Sequence, residues 1–174
     1  MKLKKILPIC IYNRIIPIVG FIAMNILCFL FIRKEYKGNK FKLTEEFFNH
    51  EGIHSIQQLE LLLASLIIMT IVILVFDISW WWLLFSILIP FIIYGICWII
   101  EIILPPYNSA YKNICFESEA IYNECDLEYI GKKRKLFNFS FLKYISNKKY
   151  PYLTKLERQR RWNIYKNSLK DKEN

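Results

Sequence analysis

A chain of 174 residues with a net charge of +9, of which 55% are hydrophobic, has room for one domain. Its hydrophobic residues are gathered into long blocks and are not spaced at the period of an amphipathic helix. This pattern excludes an ordinary soluble domain, whose core helices carry a polar stripe. It predicts an all-α integral membrane protein in which residues 1–174 form a single membrane-embedded domain.

The first apolar segment, residues 15–32, follows a basic lead-in and is predicted to enter the membrane. It is long enough to cross a bilayer, but Pro17, Gly20 and Asn25 interrupt it. It could therefore span the membrane, form a re-entrant segment, or lie along the interface. A cleavable signal peptide is not expected, because no small-residue cleavage site follows.

The next two apolar runs predict a transmembrane helical hairpin. Thr44 can cap a helix that runs through residues 44–76, and a second helix should cover residues 80–104 and bend at Pro90. Each run is about as long as the hydrocarbon core of roughly 30 Å requires. Asp77 marks a tight turn between them.

Two further segments complete the predicted order. The pair Pro105-Pro106 should stop the hairpin, a helix should cover residues 109–130, and a basic, aromatic-rich tail should occupy residues 132–174. The tail could suggest nucleic acid, but beside a membrane it is more simply an orientation signal lying on anionic lipid. The lipid bilayer is therefore an expected partner and nucleic acid is not.

Basic residues set the predicted orientation. They flank the hairpin on both sides and are absent from its turn: Arg33, Lys34, Lys37, Lys40 and Lys42 before it, and Lys132, Lys133, Arg134, Lys135, Lys148, Lys149, Arg158, Arg160 and Arg161 after it. The positive-inside rule puts both ends of the hairpin in the cytoplasm and the turn outside an inner membrane. The five cysteines should stay reduced there, since no CxxC pair occurs.

The stretch NHEGIHSIQQLE, residues 49–60, contains the only two histidines of the chain. The pattern H-E-x-x-H on a helix puts His50 and His54 one turn apart on one face, where both can bind a single Zn²⁺. Glu51 points to the same side and is placed to act as general base toward a zinc-activated water. These residues predict a zinc-dependent hydrolase.

A catalytic zinc site needs a third protein ligand and an open position. No third histidine exists, so a carboxylate or a thiolate must serve. The hairpin returns the chain to the surface it left, where CFESEAIYNECD, residues 115–126, brings Glu117, Glu119 and Glu124. A solvated helix face is the alternative interpretation of these three acids.

The chain resembles the membrane-embedded gluzincin proteases of the heat-shock protease X type in the order of three features: the motif, the hairpin, and then Glu117 to Ala120. In those proteases H-E-x-x-H is followed by two membrane helices and by E-x-x-A-D. The resemblance implies a zincin-like helix continuous with a membrane helix, a peptide or membrane-protein substrate, and Glu117 as the third zinc ligand, with Glu119 as the alternative. Residues 40–145 are also similar to small bacterial membrane proteins with the motifs N-H-E-x-I-H-x-x-Q-Q and F-E-x-E-A-Y-x-N-E.

One position departs from the family pattern, because Ile121 stands where an aspartate should follow Ala120. Metal-bound histidines normally donate a hydrogen bond to a neighbouring acceptor. The candidates for that task are Glu124, Asp126 and Glu101.

Helix periodicity separates the carboxylates. Glu124 is nearly in phase with Glu117, whereas Glu119 points about 200° away from Glu117, so both cannot face one metal. Tyr111 and Tyr122 flank this helix, and either could donate to the oxyanion or serve as an interfacial anchor. Gln57 and Gln58 lie one turn beyond the motif and could hydrogen-bond a ligand.

The leading functional prediction is a zinc metalloendopeptidase that cuts a peptide bond at the cytoplasmic membrane surface. The alternative is a non-catalytic membrane sensor or adaptor that keeps a structural zinc site. A third, weaker hypothesis is a lipid- or partner-binding protein that works through its basic tail.

Overall fold

A computed structural model describes residues 8–17, 21–39, 42–103, 114–145 and 153–173. Over these ranges the chain is mostly helical and also contains a small three-stranded sheet. The expectation of an all-α protein is therefore wrong, and the error lies in the first segment of the chain.

The sheet occupies the segment that was expected to enter the membrane. Strand β1 (Ile9–Asn13) runs parallel to β3 (Phe29–Arg33), and β2 (Ala23–Ile26) runs antiparallel to β3 on its other side. Leu30 and Ile32 are fully buried while their neighbours in β3 are at least partly exposed, which is the two-residue period of a strand. Residues 15–32 therefore include β2 and most of β3 and are not a membrane helix. Apolar composition alone does not separate the two structures.

Helix α1 (Glu45–Phe76) carries the histidine motif and then continues as an apolar rod. Its first turn is capped by Thr44, whose hydroxyl accepts a hydrogen bond from the backbone N–H of Phe47 at 3.3 Å. It ends at Asp77, which adopts the left-handed conformation with φ of 48°. At 1.5 Å per residue its 32 residues extend about 48 Å, so about three turns remain beyond a bilayer core of roughly 30 Å.

Burial along α1 is inverted relative to a soluble protein. Its polar first half is buried, including Asn49, His54, Gln57 and Glu60. Its apolar second half is largely exposed, including Ile67, Ile68, Ile71, Leu74, Val75 and Phe76. By length and composition α1 can cross a membrane.

The second apolar run is broken into two pieces. A 3₁₀ segment (Trp80–Ile87) and helix α2 (Ile89–Ile103) meet at an angle of 48° and together are also apolar and long enough to span. Pro90 lies in the first turn of α2, where its missing N–H costs nothing. The helix expected over residues 80–104 with a bend at Pro90 is therefore bent close to that position, with the break at Leu88. The expected stop at Pro105-Pro106 lies outside the described residues.

Helix α3 (Cys115–Asn123) packs back onto the first half of α1. It is shorter than the 109–130 expected: residues 109–113 lie outside the described ranges, and its helical turns end at Asn123. Ala120 is fully buried in a cluster with Ile53 and Ile56 of α1, and this small residue lets the two helices approach. A π turn (Tyr129–Lys133) follows, closed by a hydrogen bond from the Arg134 N–H to the Tyr129 carbonyl at 2.8 Å; its backbone is not helical at Ile130 or at Gly131, which has a φ of 105°.

The predicted tail is part of the folded core. A 3₁₀ turn (Ser140–Tyr144) and helix α4 (Lys155–Glu173) follow the π turn. Buried side chains in the described part of the tail include Arg134, Phe141, Tyr144, Leu153 and Trp162. The described part of residues 132–174 therefore contributes to the core, because Phe141, Tyr144 and Trp162 bury apolar surface.

Candidate metal centre

Asn49, the residue before the motif, holds α3 in place. Its fully buried side-chain amide donates to the backbone carbonyls of Asn123, Glu124 and Asp126 at 3.1, 2.9 and 3.0 Å. These carbonyls lie at and just beyond the end of α3, where backbone acceptors have no partner within the helix. The motif helix thus caps the helix that carries the predicted third ligand.

Three predicted ligands converge in the structure. The Nε2 atoms of His50 and His54 lie 3.1 Å apart, and the carboxylate oxygens of Glu117 lie 3.6 Å from His50 Nε2 and 3.4 Å from His54 Nε2. A tetrahedral zinc ion with bonds of 2.0–2.1 Å separates its ligand atoms by about 3.3 Å. The three side chains therefore offer donor atoms of a kind and spacing that could hold a metal ion.

The centre opens onto a cavity of about 550 Å³. His50, Glu51, His54 and Glu117 all lie in its wall. The remaining wall is largely apolar and is formed chiefly by Phe21, Met24, Ile26, Leu61, Phe91 and Phe116. Glu51 thus shares one space with all three ligand side chains, and the fourth coordination position can face this space.

Glu124 holds the imidazole of His50. Its Oε2 lies 3.1 Å from His50 Nδ1, and both of its oxygens accept from the Arg158 guanidinium at 2.7 Å. A carboxylate held by a guanidinium accepts hydrogen bonds, so His50 donates from Nδ1 and turns Nε2 toward the centre. Of the three carboxylates considered as a histidine partner, Glu124 is thus the one that contacts an imidazole. Arg158, which holds Glu124, belongs to α4.

Gln57 holds the imidazole of His54. Its Oε1 lies 2.8 Å from His54 Nδ1, and its Nε2 donates to Phe116 O and Glu119 Oε2 at 3.0 and 2.8 Å. Each histidine therefore has its own partner on the side away from the centre.

The charges of the cluster are mutually dependent. Burial alone would raise the pKa of Glu117, but His54 and His50 outweigh burial and hold that pKa well below its usual range. Burial would lower the pKa of His50, yet hydrogen bonds to Glu117 and Glu124 raise it to about 10. The pKa of His54 is also raised, chiefly by Glu117 against burial. Without a metal ion, the raised pKa values favour the protonated forms of the imidazoles, whose positive charge balances the negative charge of the Glu117 carboxylate.

The other candidate carboxylates lie elsewhere. Glu119 is fully buried and contacts Arg134 at 2.7 Å and the Tyr129 hydroxyl at 2.9 Å, so it neither reaches the centre nor lies on a solvated face. Asp126 pairs with Lys133. Glu101 lies near the end of α2, and no hydrogen bond joins it or Asp126 to an imidazole in the described ranges.

Tyr122, one of the two tyrosines considered as oxyanion donors, lies away from the centre. Tyr122 packs on Tyr144 with ring centroids 5.9 Å apart and carries the Arg161 guanidinium 4.8 Å from its ring centroid. It does not line the cavity. Tyr111 lies outside the described residues.

Two residues at the site were missed by the sequence analysis. Tyr94 of α2 donates its hydroxyl to Glu117 Oε1 at 2.9 Å. Asn25 of β2 donates to the Glu51 carbonyl at 2.6 Å and to Ser55 Oγ at 2.9 Å, which fixes β2 beside the motif. The available sequence signals are Asn25, a polar residue within an apolar run, and Tyr94, the one tyrosine of α2. Neither signal specifies a partner residue.

Comparison with known protein families, with curated proteins and with solved structures found no match for this chain. The likeness to gluzincins therefore depends on the motif residues, and the functional argument depends on the geometry just described.

Proposed function

We propose that this protein is a zinc-dependent metallopeptidase of the membrane, which hydrolyses a peptide bond in the cavity beside α1. The observation that carries the proposal is the convergence of His50, His54 and Glu117, with donor atoms 3.1–3.6 Å apart, in the wall of a cavity that also contains Glu51.

Each residue of the cluster has a task in this proposal. The two imidazoles and Glu117 hold the metal, which when bound supplies the Lewis acidity that activates water and polarises a carbonyl. Glu51 accepts the proton that the attacking water loses and passes it to the leaving amine. Tyr94 orients Glu117 through the hydroxyl hydrogen bond.

The cavity supports catalysis over a purely structural metal site. Structural zinc sites are closed by four protein ligands, whereas catalytic sites have three and an open position. Here the described cluster offers three ligands and faces a cavity of about 550 Å³. This is the observation that favours the metallopeptidase over the sensor or adaptor.

The edge of β2 supports a peptide as the substrate. The backbone groups of Ile22 and of every second residue after it face β3, where they form the hydrogen bonds of the strand pair. The backbone groups of Ala23, Asn25 and Leu27 therefore point to the outer edge of β2. Gln58 already occupies part of this edge through Asn25 O and Leu27 N. The N–H and C=O of Ala23 remain directed outward beside the cavity, where an extended peptide can pair with them.

Exposed apolar surface supports a position in the membrane. Trp81 is 77% exposed, and the second half of α1 exposes isoleucine, leucine, valine and phenylalanine side chains. Lipid is the environment that matches such a surface. With the basic residues on the side of the motif, the centre faces the cytoplasm in this proposal.

The experiment compares purified wild type with Glu51→Gln, Glu117→Ala and a matched control, Glu45→Gln. Glu45 lies in the same helix but is exposed. Each protein is analysed for zinc and incubated with a mixture of unstructured peptides, and the products are identified by mass spectrometry. We expect Glu51→Gln to keep zinc and lose about 10²–10⁴-fold in cleavage rate, because it lacks the general base.

Glu117→Ala should lose the metal, because one of three protein ligands is gone, and Glu45→Gln should behave as wild type. Zinc bound to a wild type that cleaves no peptide would favour the non-catalytic alternative. Equal cleavage by Glu51→Gln and wild type would refute the assigned role of Glu51.

A further inference from the structure

A row of buried polar groups leads from His54 away from the metal centre. It runs through Gln57 to Glu119, then to Arg134, and ends at Glu60. Glu60, Glu119 and Arg134 are each 0–1% exposed. Burying two carboxylates and a guanidinium is costly, so their arrangement calls for an explanation beyond stability.

The charged end of this row is fixed by geometry. Arg134 pairs with both oxygens of Glu60 at 2.6 and 2.8 Å, and its Nε lies 2.7 Å from Glu119 Oε1. The Tyr129 hydroxyl donates to the same oxygen of Glu119. Glu119 therefore stands as an acceptor whose second oxygen, Oε2, accepts from Gln57 at 2.8 Å and from Arg134 at 3.4 Å.

The orientation of the Gln57 amide follows from its neighbours. On one side it meets two acceptors, Glu119 Oε2 at 2.8 Å and the Phe116 carbonyl at 3.0 Å. Only the NH₂ group can satisfy both, so the amide oxygen must face His54. That oxygen accepts, and the hydrogen it accepts must therefore be on His54 Nδ1.

From this polarity we infer that Gln57 is a positioning residue, which fixes the Nδ1–H form of His54 and so keeps the Nε2 lone pair directed at the metal. The inference rests on the proposed metal centre. It assigns a positioning role to Gln57, which would not contact the metal itself. Glu119, Arg134 and Glu60 hold the amide in the one orientation that serves this purpose.

The two imidazoles are positioned independently. His50 donates to Glu124, which is held by Arg158 of α4, whereas His54 donates to Gln57, which is held from α3 and the π turn. Loss of Gln57 should therefore affect one imidazole and leave the other in place.

The test compares Gln57→Met with Gln58→Met in the full chain. Methionine keeps the length and the unbranched shape of glutamine and removes the amide. Gln58 is the matched control, because it lies on the same helix and contacts β2 rather than a histidine. The Kd for Zn²⁺ is measured by competition with a chelator, and the zinc-loaded proteins are labelled with ¹⁵N-histidine for NMR.

We expect the Kd for Zn²⁺ to rise about 10–100-fold in Gln57→Met, as for other lost partners of metal-bound histidines, and to change less than about threefold in Gln58→Met. With only two histidines, the spectrum separates them. The Nδ1–H signal of His54 should become exchange-broadened in Gln57→Met while that of His50 stays sharp, a selective effect that general destabilisation would not produce.

Wild type alone also tests the inference, so a failure of Gln57→Met to fold does not remove the test. The spectrum of zinc-loaded wild type must show the proton of His54 on Nδ1 and the metal on Nε2. The opposite assignment, or an unchanged Kd in Gln57→Met, would overturn the role of Gln57 while leaving the metal centre standing. A wild type that binds no zinc through its histidines would overturn the metal centre and this inference together.

Discussion

Asn49→Ala tests the contact that joins the motif helix to α3. The wild-type amide has two N–H donors, which are shared among the carbonyls of Asn123, Glu124 and Asp126. Its own Oδ1 is buried and has no partner in the described part of the chain. The substitution therefore removes two buried donors and relieves one buried acceptor.

The expected cost follows from these groups. The carbonyls of Asn123 and Asp126 keep backbone donors, the N–H groups of Asp126 and Tyr129, so in the described part of the chain it is the Glu124 carbonyl that loses its donor. A buried carbonyl that loses its donor costs about 1–3 kcal/mol, and the relief at Oδ1 offsets part of that cost. We expect the free energy of unfolding to fall by about 2 kcal/mol. In a chain of this length that corresponds to a decrease of about 4–8 °C in Tm.

The assay is thermal unfolding of metal-free protein in detergent, so that loss of zinc does not contribute. Asn163→Ala, an exposed asparagine of α4, is the matched control and should leave Tm within about 1 °C. A decrease in Asn49→Ala no larger than that of the control would refute the capping argument, because the Glu124 carbonyl would then be satisfied without the amide.

Two further predictions concern proton release and topology. His50 has a pKa raised to about 10 by its carboxylate partners against burial, so metal-free protein at neutral pH holds a proton that zinc must displace. The affinity for Zn²⁺ should therefore rise with pH between about 6.5 and 10. Calorimetry at pH 7 in buffers of different ionisation enthalpy should report that zinc binding releases about one proton or more. Uptake of protons would contradict this assignment. In intact cells, single cysteines introduced beside Asp77 should react with an impermeant thiol reagent and those beside Lys133 should not; the reverse pattern would place the centre outside.

The local signals of the sequence predicted α1 closely. Thr44, the acids after it and the uninterrupted apolar run gave a helix over residues 44–76, and the structure has Glu45–Phe76. These signals act within one turn, so they can be identified in the sequence without knowledge of the fold. The separation of Glu117 from Glu119 likewise needed only the helical period, because residues two positions apart on a helix cannot share a face.

The remaining features depend on contacts that local patterns do not encode. Residues 15–32 were assigned to the membrane because strand and helix share an apolar composition, and only the pairing of β2 and β3 decides between them. Tyr94 and Gln57 acquire their roles from partners 23 and 62 positions away. Arg134 was counted among the basic residues that set the orientation, since nothing near it in the chain reveals that Glu60 lies beside it.

The contact between Arg158 and Glu124 makes the position of α4 a determinant of the geometry of His50. Arg158 lies in α4 and holds both oxygens of Glu124, and one of these oxygens contacts His50 Nδ1. A displacement of α4 that broke this contact would free the Glu124 carboxylate and leave the orientation of the His50 imidazole less constrained. A helix that contributes no candidate ligand is thereby coupled to the candidate metal centre.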